Sequence, residues 1–566
     1  MTDTGRRPWG RVDRLLAASL VLIAAALWLP RLRGPLDLRY DAGVYYVLGT
    51  SLAEGRGYRL LNEPGAIEAV QYPPVLSAVA AVHQRALGTS DPVVVGHALR
   101  YTFALLFVVY AVAVFALARR MLRPGFAWLA ALLAILNAQV LFLSDYFAAD
   151  LPYTAVSTFA LVASPGLAAG VLAVGAFGLR TAGVALLGAW ASESLLRRRW
   201  RQAAARACVG VAAVGMWQIY VHLVTSSAEY ARPAYSYQRA GYQFYNVGYS
   251  ENMSYVDPFR PELGRASRSE LASRVARNLR AIPIGLGEAA TLQRGWLVGE
   301  VVRIRQHFPG VPLPDWIVSA ALVYVSGMVG VGLVLLARGG HALLVTYVLG
   351  SIALIVVTPW PGQFGRYLVP LAPILALAFV AVPSALLDRA RRSGGRWWRA
   401  GAVLALATLG GVLVQELYTV YKVFTKHHEP AVMTDASGKV HQYRLFFYDQ
   451  TWRLHDDALD WLARQGPRSA VIATATPHAA YLRTGLKAIM PPYEADPALA
   501  ADLLRRVPVT YLIVDQLSFL DVSRRYAAPV AASDSADWPM VYAVNDSGPR
   551  IYRRSGEGQP PAVGSK

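Results

Sequence analysis

The residues most able to do chemistry follow the first hydrophobic segment, in the run Asp41-Ala42-Gly43-Val44-Tyr45-Tyr46 and then Gln71-Tyr72-Pro73-Pro74. A carboxylate just outside a membrane helix loses part of its hydration, so it is costly there unless it pairs or works. The loop carrying it, residues 31–92, is about 60 residues long, far beyond the few residues that usually join helices. A long loop mixing charge with apolar anchors suggests a catalytic face built against the membrane surface. Asp41 also has a plainer reading, as the N-cap of a helix beginning at Ala42. Asp150, in Asp150-Leu151-Pro152-Tyr153, has the same alternative, because proline suits a first helical turn. Asp145 and Asp37 are lesser candidates.

Positive charge stands at two further apolar boundaries. Arg180 interrupts the run 166–196, and Arg366 lies in Pro359-Trp360-Pro361-Gly362-Gln363-Phe364-Gly365-Arg366. Either could snorkel to headgroups, pair with an acid, or hold an anion. Arg56, Arg59, Arg303 and Arg305 are unranked. The polar stretch 225–312 contains Tyr230, Tyr235, Tyr237, Tyr242, Tyr245, Tyr249 and Tyr255. Such rings stack on sugars or anchor at interfaces. Cys208 is the single cysteine, which excludes a disulfide within the chain. His427, His428, His441 and His455 lack the spacing of a zinc site.

The elements that position these residues follow from composition. Of 566 residues 55% are hydrophobic and only 16% charged, against about 25% charged in a soluble domain. This predicts an α-helical polytopic membrane protein. The net charge of +19 is concentrated at Arg6–Arg14, Arg119–Arg123, Arg197–Arg201 and Arg389–Arg399. Short basic loops mark the cytoplasmic side and meet anionic lipid headgroups; nucleic acid is not an expected partner.

Taken with a span of about 20 residues per crossing, the basic turns predict about eleven transmembrane helices. The segments are 13–30, 94–118, 124–143, 151–164, two short helices within 166–196, 205–224, 313–337, 340–358, 367–387 and 400–422. The N-terminus is then cytoplasmic, the first helix is retained, and 31–92 and 225–312 are outer loops. Asp41–Glu54 and Pro74–Leu87 are expected as amphipathic juxtamembrane helices. Residues 1–425 form the transmembrane domain and 426–555 an extracytoplasmic domain. In the latter, helices near 456–464, 478–483 and 497–506 alternate with strands near 469–473, 487–490 and 509–515. A hairpin at 538–544 and 550–553 completes a small α/β domain. The Gly/Pro/Ser-rich tail 556–566 is expected to be disordered.

Asp41 with Tyr45, then Leu52-Ala53-Glu54-Gly55-Arg56-Gly57-Tyr58, Tyr72-Pro73-Pro74, Asp150-Leu151-Pro152-Tyr153 and Gly365-Arg366-Tyr367-Leu368-Val369-Pro370 together resemble the integral-membrane C-type (GT-C) glycosyltransferases. The nearest branch is that of the protein O-mannosyltransferases and aminoarabinose transferases. The resemblance covers most of residues 35–375. It implies transfer of a sugar from a polyprenyl-phosphate donor to an acceptor hydroxyl on a glycan, lipid or protein, at the outer face of the plasma (inner) membrane. Asp41 would be the general base. Asp150 would steer it, bind acceptor, or join it in holding a divalent metal such as Mg or Mn. Arg366 and Arg180 would bind the donor phosphate, since the guanidinium fork holds phosphate oxygens and stays charged. Tyr45, Tyr72, Tyr242 and Tyr245 would bind acceptor or sugar. A transporter or flippase of lipid-linked sugars, or a non-catalytic scaffold, is the alternative. Transporters usually place broken helices and charges at the midplane of repeated halves, and no repeat is present here.

Overall fold

The computed structural model describes residues 8–310, 313–425, 429–446, 448–517 and 521–556. They form two compact units. A helical unit comprises Met1–Leu32, Arg100–Gln218 and Arg268–Lys426; a mixed unit comprises Arg33–Leu99, Ile219–Ser267 and His427–Lys566. Where the sequence reading draws one boundary near residue 425, the compact units group the first loop and part of the second with the C-terminal residues. The tail from residue 557 onward, like His427 and His428, lies outside the described residues.

Each of the eleven expected crossings coincides with helix. Among the described residues, six helices are long and apolar enough to cross a membrane: Arg11–Arg31, Pro92–Arg119, Trp200–Thr225, Trp316–Arg338, Pro361–Ser393 and Arg396–Thr425. A seventh span would be the pair Pro124–Leu136 and Ala138–Ser144, bent by 52°. The other four, Asp150–Ala163, Leu167–Leu179, Val184–Leu196 and Ala342–Ile355, have 13 or 14 residues. At the α-helical rise each covers about 20 Å, short of a hydrocarbon core of about 30 Å. By length and composition, then, six of the described helices are candidate crossings, or seven counting the bent pair.

Ion pairs gather the basic turns at one end of the helical unit. Arg119 pairs with Asp13 near the start of the first helix (2.5 Å), and Arg123 with Asp388 late in the helix Ala372–Ser393 (2.9 Å). Arg120 donates to the carbonyls of Leu161 and Val162, where the helix from Asp150 ends. Arg206 meets Glu193 at 3.0 Å and the Pro165 carbonyl at 3.1 Å, just before the helix that leads to Arg180. Asp150, Arg180 and Arg366 stand at the other ends of these same helices. They therefore belong to the opposite end of the unit.

The mixed unit is built on a five-stranded sheet. Its strands are β3 (Val471–Ala473), β4 (Lys487–Ile489), β5 (Tyr511–Val514), β6 (Met540–Ala543) and β7 (Arg550–Arg553), preceded by the hairpin β1 (Ala431–Thr434) and β2 (Val440–Tyr443). The sheet order is β4-β3-β5-β7-β6, with β4, β3 and β5 parallel and β7 antiparallel to its neighbours. Successive strand residues face opposite sides, and both sides are covered. Ile472, Tyr511 and Ile513 join Leu459 and Leu462 of the helix Gln450–Gln465. Val471, Ala473 and Leu512 join Leu504, Val530 and Trp538, together with Tyr235 and Tyr237 from the long loop. The first loop shields the free edge of β4: Asn62 accepts from the Ala488 amide (2.8 Å) and donates to its carbonyl (3.0 Å), protection that exposed edge strands require.

The two predicted juxtamembrane helices are present as Asp41–Ala53 and Val75–Leu87. The second has the expected stripe, with Leu76, Ser77, Ala80, Ala81 and Gln84 buried. The first does not. Every residue from Ala42 to Ser51 is buried, so this helix has no wet face. The cause is tertiary: it is enclosed by Val75–Leu87, by the cluster of Leu60, Ile67 and Ala69, and by the C-terminal helix Pro477–Thr484.

Candidate functional site

Asn137 is what ends one helix and starts the next at the bend. Its side chain accepts from the Gln139 and Val140 amides, both at 3.2 Å, and its amide nitrogen donates to the Ala289 carbonyl at 3.1 Å. An asparagine cap of this kind satisfies amides that lack intrahelical partners. The short helix it opens carries Asp145 at its end and leads to Asp150. Asp150 is not an N-cap. It is the first residue of its helix and follows Ala149 as cap. Pro152 falls in the first turn, where a missing N–H costs nothing.

The buried Asp150 carboxylate, 1% exposed, is held by both predicted phosphate-binding arginines. Arg180 approaches one oxygen at 2.6 Å and Arg366 the other at 3.2 Å. The break at Arg180 has the expected local form. Its helix stops at Leu179 and Arg180 is extended (φ −154°, ψ 131°). Its guanidinium also lies 5.7 Å from the Tyr367 ring, within cation–π range. These three residues, far apart in sequence, form one cluster.

A second cluster joins Asp145 to Arg31 (2.9 Å) and to Arg100, with Ser144 at 3.2 Å from Arg31. Arg31 stacks 3.9 Å over Trp28. Asp37 is paired with Arg39 at 2.7 Å. The unranked arginines are also in ion pairs: Arg56 with Glu54, Arg59 with Glu229 and Glu68, Arg303 with Glu300, and Arg305 with Asp315.

In the mixed unit Asp41 is likewise the first residue of its helix. The cap is Tyr40, in a left-handed conformation unusual for a non-glycine residue (φ 55°, ψ −136°), a strain of the sort found at functional sites. The Asp41 carboxylate accepts the Tyr245 hydroxyl at 3.3 Å. Tyr72 packs beside it, against Tyr45 at 4.9 Å between ring centroids, and shares a cluster with Tyr245. Burial pushes the Tyr72 phenol well above its ordinary value, with the Asp41 charge adding to the effect. Tyr242 belongs to a different cluster, stacked 5.4 Å from Tyr493, which in turn stacks on Tyr526.

Among the described residues, no group of three or more His, Cys, Asp or Glu side chains gathers where a metal ion could be held. Both Asp150 oxygens face guanidinium groups rather than an open site. The residues described here thus do not fit a divalent ion bound by Asp150.

No protein-family model matches the chain, and no curated protein does. Solved structures do. The Archaeoglobus fulgidus oligosaccharyltransferase in its apo form matches over 88% of this chain and 69% of its own, at 13% identity and a TM-score of 0.50. The same enzyme in complex with Zn and sulfate matches over 87% and 67%, at 13% identity and a TM-score of 0.51. The chain has the GT-C fold. ArnT from Cupriavidus metallidurans bound to undecaprenyl phosphate covers 97% of this chain and 99% of its own at 14% identity, with a TM-score of 0.48.

Several members of these clusters carried no signal in the sequence reading. Arg31, Arg39 and Arg100 sit in ordinary apolar or loop contexts, and each is recognised through an aspartate two to 114 residues away. His478 carries in the sequence only the mark of a short helix's start.

Proposed function

We propose that this GT-C-fold protein is a glycosyltransferase that moves a sugar from a polyprenyl-phosphate donor to an acceptor hydroxyl. The observation that carries the reading is the pairing of Arg180 and Arg366 on Asp150. The two guanidinium groups converge on one carboxylate, and the arginine side chains are 20% and 29% exposed. Such a group is suited to an anion with several oxygens. In the reaction the acceptor oxygen attacks the anomeric carbon, the bond from that carbon to the phosphate oxygen breaks, and polyprenyl phosphate departs as the anion. Asp41 takes the hydroxyl proton. Asp150 fixes the two arginines. Tyr45, Tyr72 and Tyr245 offer ring faces and hydroxyls to the sugar or acceptor.

The topology that accompanies this reading has all eleven helical segments in the membrane and the gathered basic turns on the cytoplasmic side. The loop 31–92 and the C-terminal α/β domain then lie on the outer side.

Purified protein incubated with radiolabelled polyprenyl-phosphate hexoses and pentoses tests the reading. A transferase releases free polyprenyl phosphate as label moves to acceptor. Translocation of an intact donor across proteoliposomes would indicate a flippase, and binding without turnover a scaffold.

A further inference from the structure

Asp41 stands at the junction of three segments from distant parts of the chain, all within the mixed unit. The first is its own loop. Arg39 is held by Asp37 through two short contacts (3.0 and 2.7 Å) and donates to the Phe446 carbonyl at 3.1 Å. Its guanidinium lies 4.7 Å from the Trp452 ring and 5.2 Å from that of Tyr448. Trp452 also meets the Tyr40 ring edge-on at 5.2 Å. The two residues that lead into Asp41, Arg39 and the strained Tyr40, are thus gripped at the start of the helix Gln450–Gln465.

The second segment is the helix Pro477–Thr484. Gly43, two residues after Asp41, faces it so closely that a Cβ there would stand 3.0 Å from the His478 Cβ. His478 is 3% exposed, and its Nε2 has no hydrogen-bond partner among the described residues. Its imidazole is a ring packed inside the domain. It packs edge-to-face on Tyr245 at 4.8 Å and 82°. The third segment is the long loop, through Tyr245, whose hydroxyl reaches Asp41.

We propose that the C-terminal α/β domain is the positioning element for Asp41. Trp452 and Tyr448 clamp Arg39 and fix the backbone entering the helix, while the His478 ring seats Tyr245 so that its hydroxyl orients the carboxylate. His478 and Trp452 are positioning residues. The inference deepens the glycosyltransferase reading and rests on it for the consequence in turnover. Its structural half, that this domain holds the Asp41 segment, is testable without substrate.

The test uses the full-length protein in detergent with three variants: His478→Ala, His478→Phe and Trp452→Ala. Hydrogen exchange at the amides of residues 40–47 is the first readout. We expect at least tenfold faster exchange there in His478→Ala and Trp452→Ala, and exchange near that of the parent in His478→Phe, which restores a flat ring. Turnover of a polyprenyl-phosphate hexose is the second. The two alanine variants should lose kcat about tenfold or more while the donor KM stays within twofold, and His478→Phe should recover most of kcat. If Trp452→Ala fails to fold, the two His478 variants decide. Unchanged exchange in folded His478→Ala, or a His478→Phe protein as impaired as His478→Ala, overturns the proposal. Asp41→Asn separates the two readings. If it turns over normally the general-base role falls, while the exchange data still judge the positioning role.

Discussion

The carboxylates and the groups around them set the sharpest expectations. Asp41 is the first residue of its helix and accepts the Tyr245 hydroxyl; an amide of the same size keeps an acceptor oxygen there, so it should leave the fold intact. Asp41→Asn should lower turnover by roughly 10²–10⁴, the usual contribution of a general base, with the thermal midpoint unchanged; near-normal turnover would remove Asp41 from the chemistry. Arg366 supplies charge rather than a proton. Arg366→Ala should therefore raise the donor KM more than it lowers kcat, because it deletes a charge-assisted contact to phosphate, and steady-state kinetics would separate the two. His478 makes stability depend on pH. Burial pushes its imidazole from 6.5 down to about 3. Between those values the unfolded chain binds the proton and the folded chain does not, so stability rises with pH across the window and is lost as pH falls. His455, also pushed down by burial, acts in the same direction in parent and variant alike. The parent should therefore lose thermal midpoint relative to His478→Phe as pH is lowered from 7 to 4; parallel curves would refute this.

At the scale of elements, the decisive device is the bend at Asn137, because the short helix it starts leads to both Asp145 and Asp150. Its side chain satisfies two helix-end amides and a buried carbonyl at once. Asn137→Ala should cost about 1–2 kcal/mol from the cap alone, seen as a lower unfolding midpoint in detergent. It should also reduce donor binding, since Asp150 loses its fixed approach to Arg180 and Arg366. A variant with both properties unchanged would mean that the bend is held by packing instead. The contrast between the helices Asp41–Ala53 and Val75–Leu87 teaches a related point. Both are short and adjacent in sequence, yet one keeps a wet face and the other is enclosed.

For the whole molecule, the ion pairs that join Asp13, Arg119, Arg123 and Asp388 collect the basic turns at one end of the helical unit. Positive charge of this kind is retained on the cytoplasmic side. Reporter fusions should accordingly place residue 122 and residue 394 inside, and the end of the chain outside. A C-terminal fusion active only in the cytoplasm would reverse the orientation and put Asp41 on the wrong face for an outer-surface reaction.

Much of this was legible from sequence because it depends on local pattern. Helical segments announce themselves by long apolar runs, and the strands β3, β4 and β5 by short apolar stretches between helical ones. The hairpin β1–β2 gave no such signal: its residues are mostly exposed or half-buried, so no alternation marks it. Asp41, Asp150, Arg180 and Arg366 could be singled out one by one, since each is a charge beside apolar sequence. Which of them pair with which could not. Arg366 is 216 residues from Asp150, and Tyr245 is 204 from Asp41. Contacts over such separations are fixed by how whole helices and sheets pack, not by any local preference. The same is true of Tyr235 and Tyr237, whose rings suggest sugars or interfaces and which serve as core against the sheet. Local pattern marked the apolar helices, the central strands and the charges at their ends, but not the hairpin β1–β2 or the polar helices Arg268–Ala290 and Arg294–His307 inside the long loop. Only tertiary packing decided which charges meet, because burying a carboxylate requires a partner that the chain must bring from elsewhere.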